Sequence, residues 1–119
     1  MAQVAKRKVS GSTDGRQVKV VATATPGTLV HTAVASVVAG TWDEIWVYAT
    51  NSDTVDRTIT VEMGGVTNPD DRITVNIPFN QGRVPVIDGQ ILQNGTALRV
   101  FSAAANVVMV SGFVNAITA

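Results

Sequence analysis

Few residues of this sequence could carry chemistry, and the first of them is a single histidine. His31 stands in the run Leu29–Ala33, which has the composition of a β-strand. A Ser-His-Asp hydrolase also needs a nucleophile in a strained turn, and the sequence contains no G-x-S-x-G motif. We therefore interpret His31 as a histidine on a sheet face. A hydrolase stays open as an alternative if His31 and an acidic pair share a cleft.

Acidic side chains form three short clusters, at Asp43/Glu44, Asp53/Asp56 and Asp70/Asp71. A glycosidase needs two carboxyl groups facing each other across a cleft, whereas aspartates beside a proline are typical of turns. One histidine and no cysteine cannot build a zinc or copper site without several carboxylates. The sequence therefore predicts no catalytic residue, no cofactor and no metal site. A calcium ion in the acidic loops is left open.

Aromatic side chains alternate along one segment. Trp42, Trp46 and Tyr48 have even numbers, as does Glu44, so in a strand all four share one face. Core packing is one interpretation. The other is a protein–protein interface, because aromatic residues dominate interface energies. A sugar-binding platform is a third possibility.

The composition indicates the elements that position these residues. Valine occurs 21 times, threonine 14 times and isoleucine 7 times, whereas leucine occurs 3 times and glutamate twice. β-Branched side chains suit a pleated sheet, and the long side chains that favour helices are scarce. Short apolar runs separated by turn residues then predict a single-domain all-β sandwich. We expect it to be jelly-roll-like, with about eight antiparallel strands.

Two segments, 57–63 and 72–77, have the clean alternation of half-buried strands. A third strand is predicted at 43–50, and its residues 45–49 are apolar on both faces, as in a central strand or in a sheet whose second face meets a partner. The other predicted strands are 17–25, 28–34, 84–87, 91–92, 96–102 and 107–117. Asp88-Gly89 predicts a hairpin turn, and Gly112 predicts a bulge or a close backbone approach.

Charge separates the N-terminus from the rest of the chain. Residues 1–19 carry five basic side chains against Asp14, whereas the remaining residues carry a net charge of −4. We interpret residues 1–16 as a flexible or partner-ordered arm before a domain at 17–119, with Lys6, Arg7, Lys8 and Arg16 available to an acidic partner surface. One short basic cluster on a neutral chain is poor for nucleic-acid binding, and no run has the length of a membrane helix.

Several segments between His31 and Ile117 carry a family resemblance. They are His31–Ala33, Asp43–Ala49, Asn51–Asp53, Ile59–Gly65, Pro69–Asp71 and Asn106–Asn115. Together they resemble small auxiliary head proteins of tailed bacteriophages, the capsid decoration or cement type. The resemblance implies a non-enzymatic virion protein, made in the host cytoplasm, that binds the major capsid protein on the capsid surface. It also implies a homo-oligomer, with a trimer favoured, and neither nucleic acid nor membrane as a partner.

Two alternatives to a decoration protein remain open. One is another virion component, such as a head fibre base, a neck protein or a tail protein. The other is a carbohydrate-binding sandwich that uses Trp42, Trp46 and Tyr48.

Overall fold

The computed structural model describes residues 2–119, which form nine strands in two antiparallel sheets. The strands are β1 (Gln3–Lys8), β2 (Val18–Lys19), β3 (Thr28–Thr32), β4 (Trp42–Asn51), β5 (Arg57–Met63), β6 (Arg72–Ile77), β7 (Val84–Leu92), β8 (Ala97–Ser102) and β9 (Val108–Thr118). The predicted all-β, single-domain fold is confirmed. Residues 2–119 include no helix long and apolar enough to cross a membrane.

Most connections between consecutive strands cross from one sheet to the other. Sheet A has the order β1-β9-β4-β7, with the short β2 also on β9, and sheet B has the order β3-β8-β5-β6. Only β5 and β6 are neighbours both in sequence and within a sheet. This order is consistent with the predicted jelly roll, in which Greek-key connections pack two sheets face to face.

The core lies between the two sheets and follows the alternation of the strands. Along β4 every second residue is buried, and Ile45 and Val47 are completely inaccessible. They share the core with Ile59 and Val61 of β5, which occupies the predicted range. The other half of the β4 side chains points away from the core, because successive side chains of a strand point to opposite faces. In sheet A, β4 lies between β9 and β7. The predicted central position of this strand is confirmed.

The predicted hairpin at Asp88-Gly89 is wrong, because residues 84–92 form one continuous strand. β7 pairs with β4 on both sides of Gly89, and the register shifts there, as in a β-bulge. Gly89 has a φ of 80°, but Asp88 has no positive φ, which a type I′ turn would also require. The glycine serves the bulge, and pairing with β4 overrides the local turn signal.

The N-terminal segment is placed differently from the expected arm. Residues 3–8 pair with β9 in unbroken antiparallel register, from Gln3 opposite Thr118 to Lys8 opposite Phe113. Val9 is completely buried in the core. The sandwich therefore begins at β1 and not at residue 17, although all six residues of β1 are themselves exposed. The predicted strand 17–25 is reduced to β2, and residue 1 lies outside the described residues.

Candidate functional site

The outward face of sheet A brings together the aromatic residues that the sequence singled out. Trp42, Trp46 and Tyr48 project from β4 on the side opposite the core and are all partly accessible. Phe113 of β9 lies opposite Trp46 in the register, and Ile117 lies opposite Trp42. We call these five residues the aromatic face.

Two rings form the centre of this face. The rings of Trp46 and Phe113 have centroids 6.2 Å apart and planes that differ by 11°. Glycines on both neighbouring strands lie close to Trp46, Gly89 against its ring and Gly112 against its backbone. A Cβ on Gly89 of β7 would lie 2.9 Å from Trp46 Cζ2, and one on Gly112 of β9 would overlap the Trp46 carbonyl oxygen. The predicted close backbone approach at Gly112 is therefore confirmed.

A carboxylate fixes the orientation of the Trp46 indole. Glu44 Oε1 accepts hydrogen bonds from Trp46 Nε1 at 2.9 Å and from Asn115 Nδ2 at 3.0 Å. These bonds favour the charged carboxylate, so the pKa of Glu44 lies below its usual value, with Asn115 making the larger contribution and Trp46 the smaller. The aromatic face thus carries an ionised, hydrogen-bonded acid beside its central ring.

Two cations lie over rings of the same face. Lys6 Nζ is 4.3 Å from the centroid of Phe113, and the Arg83 guanidinium is 4.4 Å from the centroid of Tyr48. Both distances are typical of cation–π contacts. Sequence reasoning singled out neither Phe113 nor Arg83. Their positions follow from strand pairing over long sequence separations, which leaves no local signal.

The basic residues of the predicted arm do not form one cluster. Lys6 and Lys8 lie on the outward face of sheet A, because they pair with Asn115 and Phe113. Arg7 points to the opposite side, since it pairs with the buried Val114. Arg16 belongs to the loop between β1 and β2. The edge of β1 is basic on both faces, and Arg16 lies apart from it.

A cleft of about 440 Å³ opens beside β1 and β3. Its walls include Arg7, Ser10, His31 and Asp43. The structure thus brings His31 into one cleft with a single carboxylate and a serine. A hydrolase stays open only if an acidic pair shares the cleft with His31, and among the residues that line this cleft Asp43 is the single acid.

The hydrogen bonds of His31 show what this histidine does. The backbone N–H of Ser10 donates to His31 Nδ1 at 2.9 Å, so that nitrogen carries no proton. Nε2 is therefore the protonated nitrogen, and it donates to Asp43 Oδ2 at 2.7 Å. The Ser10 hydroxyl oxygen accepts from the Thr32 N–H at 2.7 Å. With both ring nitrogens engaged, His31 joins the N-terminal segment, β3 and β4 in this structure.

The acidic loops have protein partners of their own. Asp53 forms an ion pair with Arg57 at 2.5 Å, and Asp71 Oδ2 accepts from the Thr67 N–H at 3.1 Å. Within residues 2–119, no group of three or more His, Cys, Asp or Glu side chains is placed to hold a metal ion.

Comparisons with protein-family models, with curated proteins and with solved structures found no match for this chain. A function for this chain therefore has to be inferred from its own residues and their geometry.

Proposed function

We propose that this chain is a non-enzymatic structural protein of a tailed-bacteriophage head. In this proposal it binds the outer surface of the major capsid protein lattice and stabilises the assembled head. The family resemblance of the segments between His31 and Ile117 supports the proposal. Viral capsid domains are also among the known users of jelly-roll sandwiches, although a fold alone does not determine a function.

The observation that carries the proposal is the composition of the exposed parts of sheet A. The sheet has a fully exposed basic edge strand, β1, next to an uncovered aromatic face. Aromatic side chains and arginine are enriched where proteins contact one another, and the lysines of β1 add positive charge that suits an acidic partner. Only 15% of the residues are charged, below the quarter that is usual for globular domains. Both features favour a domain that works through contact area.

Such a domain stabilises a shell by mass action. A protein that binds the assembled lattice, and not its separated subunits, shifts the equilibrium towards assembly in proportion to its occupancy. Lys6, Arg7, Lys8 and Arg16 are the side chains that we assign to the acidic capsid surface. Trp42, Trp46 and Tyr48 form the second contact surface.

The test is to mix the purified chain with undecorated heads and to measure co-sedimentation and the temperature at which the heads break. We expect the chain to sediment with the heads and to raise that temperature. Arg7→Glu should weaken binding, whereas Lys19→Glu makes the same charge change on β2 and should bind as the wild type does. Wild-type protein that stays in the supernatant would refute the proposal. Point variants are preferable to deletion of residues 1–16, because deletion would remove Val9 from the core.

A carbohydrate-binding sandwich is the second candidate function. The partly accessible rings of Trp46 and Phe113, with the Glu44 carboxylate beside them, supply the aromatic and hydrogen-bonding groups that favour contact with a sugar ring. Binding on a glycan array that is lost in Trp46→Ala would favour this function. A head fibre base, a neck protein or a tail protein differs from a decoration protein only in the partner and the number of copies per particle.

A further inference from the structure

A row of four side chains crosses sheet A with opposite charges at its two ends. The strand register places Lys8 beside Phe113, Phe113 beside Trp46, and Trp46 beside Asp88. The Lys6 ammonium also lies in this row, over the Phe113 ring. Lys8 Nζ donates to the Ser12 carbonyl oxygen at 2.9 Å, so the free cation of the row is Lys6. From β1 to β7 the order is therefore cation, aromatic ring, aromatic ring, carboxylate.

The carboxylate at the β7 end of this row has no charged partner among the described residues. Asp88 is exposed, and within residues 2–119 its carboxylate has no ion pair and no side-chain hydrogen bond. Lys6 likewise has no carboxylate within 4.0 Å among the described residues. Each end of the row therefore lacks a partner of opposite charge within its own chain.

A two-fold axis that runs parallel to the strands would supply both partners. Rotation about an axis above the sheet, between β4 and β9, lays a second copy face to face and exchanges the β1 side with the β7 side. The row then faces itself in reverse order, so that Lys6 meets Asp88 of the second copy and Phe113 meets its Trp46. A two-fold axis perpendicular to the strands would instead place β1 against β1, with cations facing cations.

The next row runs Lys6, Asn115, Glu44 and Ile91 in the register, and its two central side chains are self-complementary. Glu44 and Asn115 are paired neighbours at the centre of the sheet. Under the strand-parallel axis, Asn115 faces Glu44 of the second copy, so a donor again meets an acceptor. Polar groups face each other at the centre of this row, and the Lys6 side chain leaves its end for the Phe113 row, where it faces Asp88 of the second copy.

The area is also appropriate. Four strands spaced about 4.8 Å apart and ten residues long, at about 3.3 Å per residue, cover roughly 600 Å². Standard interfaces bury about 800 Å² of accessible surface per partner. The flat area of the four strands is smaller than the accessible surface of the same sheet, because side chains project from it. Two sheets that pack face to face also form the usual arrangement of a sandwich core.

We propose that the aromatic face binds a second copy of this chain across a two-fold axis parallel to β4 and β9. This inference does not depend on capsid binding. It replaces the trimer implied by the family resemblance with a dimer, in which Lys6 of each copy pairs with Asp88 of the other and the Trp46 and Phe113 rings are buried between them. In the dimer the second copy covers Lys6 and the aromatic face, and Arg7, Lys8 and Arg16 remain for the capsid surface.

The test is sedimentation velocity of the full chain over a concentration series up to about 1 mM, the concentration range of a weak interaction. We expect a species with twice the 12.5 kDa chain mass. Lys6→Glu and Asp88→Lys should each weaken the dimer by about tenfold or more, because each removes the same contact twice. The double variant should restore the dimer, since the two charges are exchanged.

Matched controls separate this contact from general electrostatics. Arg7→Glu makes the same charge change on the opposite face of β1, and Asp70→Lys makes the other change in the exposed loop between β5 and β6. Both should dimerise as the wild type does. A monomer at every concentration, a trimer, or a double variant no tighter than the single ones would overturn the proposal. Head binding by a monomeric wild-type protein would refute the dimer and leave the proposed function intact.

Discussion

His31 donates its Nε2 proton to the Asp43 carboxylate 2.7 Å away, and this bond joins the two sheets, because His31 belongs to β3 of sheet B and Asp43 to β4 of sheet A. Both side chains are almost fully buried, with accessibilities of 4% and 6%. The same histidine accepts from the Ser10 N–H, so it also fixes the segment that follows β1. One imidazole therefore connects three parts of the chain.

Replacing His31 by alanine should destabilise the fold by about 3 kcal/mol, because it leaves a buried carboxylate and a backbone N–H without their partner. Urea unfolding of His31→Ala, Asp43→Ala and the double variant gives the coupling energy. We expect a coupling of about 1 to 3 kcal/mol, the range for side chains in contact. Additive losses would show that the bond contributes nothing of its own.

Gly112 should tolerate no side chain. A Cβ at this position would overlap the Trp46 carbonyl oxygen, so Gly112→Ala must push β9 away from β4 at the centre of sheet A. We expect a loss of more than about 3 kcal/mol, or no folded protein, as measured by urea unfolding. Gly15→Ala is the control. Its Cβ would meet nothing within 4 Å, so it should cost only about 1 kcal/mol for its positive φ.

Removing the charge of Glu62 should destabilise the fold. The alternation of β5 predicts that this side chain faces outward. It does lie on the outer side of sheet B, but it is completely buried there. Its carboxylate accepts from the Thr25 hydroxyl and from the Gly27 N–H, each at 2.6 Å. Glu62→Gln places an amide group against one of these donors and should cost about 2 kcal/mol in urea unfolding.

The partly accessible Glu44 provides the control for Glu62. Glu44→Gln keeps an acceptor oxygen for Trp46 and Asn115, and should cost less than about 1 kcal/mol. Equal losses in the two variants would contradict the role given to the Thr25 and Gly27 donors.

Asp53 should stabilise the fold at neutral pH and lose this effect in acid. The backbone N–H of Thr54, and then Arg57, hold the pKa of Asp53 below its usual value of 3.8. A carboxyl whose pKa is lower in the folded chain stabilises the fold above its unfolded pKa and loses that effect as the pH falls through the folded pKa. The difference in unfolding free energy between wild type and Asp53→Asn should therefore be largest above about pH 5 and disappear towards pH 2.

Urea unfolding at a series of pH values measures this difference. Asp14→Asn serves as the control, because Asp14 is exposed and accepts no side-chain hydrogen bond among residues 2–119. It should unfold like the wild type at every pH. A difference for Asp53→Asn that grows in acid would have the wrong sign and would contradict the contacts described for this carboxylate.

The elements that sequence predicts best are those whose local pattern and tertiary environment agree. β5 and β6 have the predicted bounds, because one face of each is apolar and a slip of one residue would expose it. The predicted hairpin turn at Asp88-Gly89 is wrong because its signal is local. In the fold, β4 pairs with β7 on both sides of this dipeptide and Trp46 packs against the glycine. Residues 3–8 lack an apolar face, so nothing in their sequence indicates pairing with a strand more than a hundred residues away.

The candidate site also contains residues that the sequence could predict and residues that it could not. Trp42, Trp46 and Tyr48 share a face because alternation within one strand is a local property. Phe113 and Asp88 reach Trp46 only through the strand order of sheet A, which the sequence does not encode locally. His31 and Asp43 are similar, since each was visible as a polar residue in an apolar strand and only the packing of the two sheets brings them together.

The proposed role in the phage head is tested most directly by a reconstruction of the virion in which this sandwich is located. We predict that it lies on the outer surface of the capsid and repeats over the whole lattice, with the basic edge of β1 against the major capsid protein. Particles that lack the chain, or that carry it in a few copies at a vertex, neck or tail, would contradict this role.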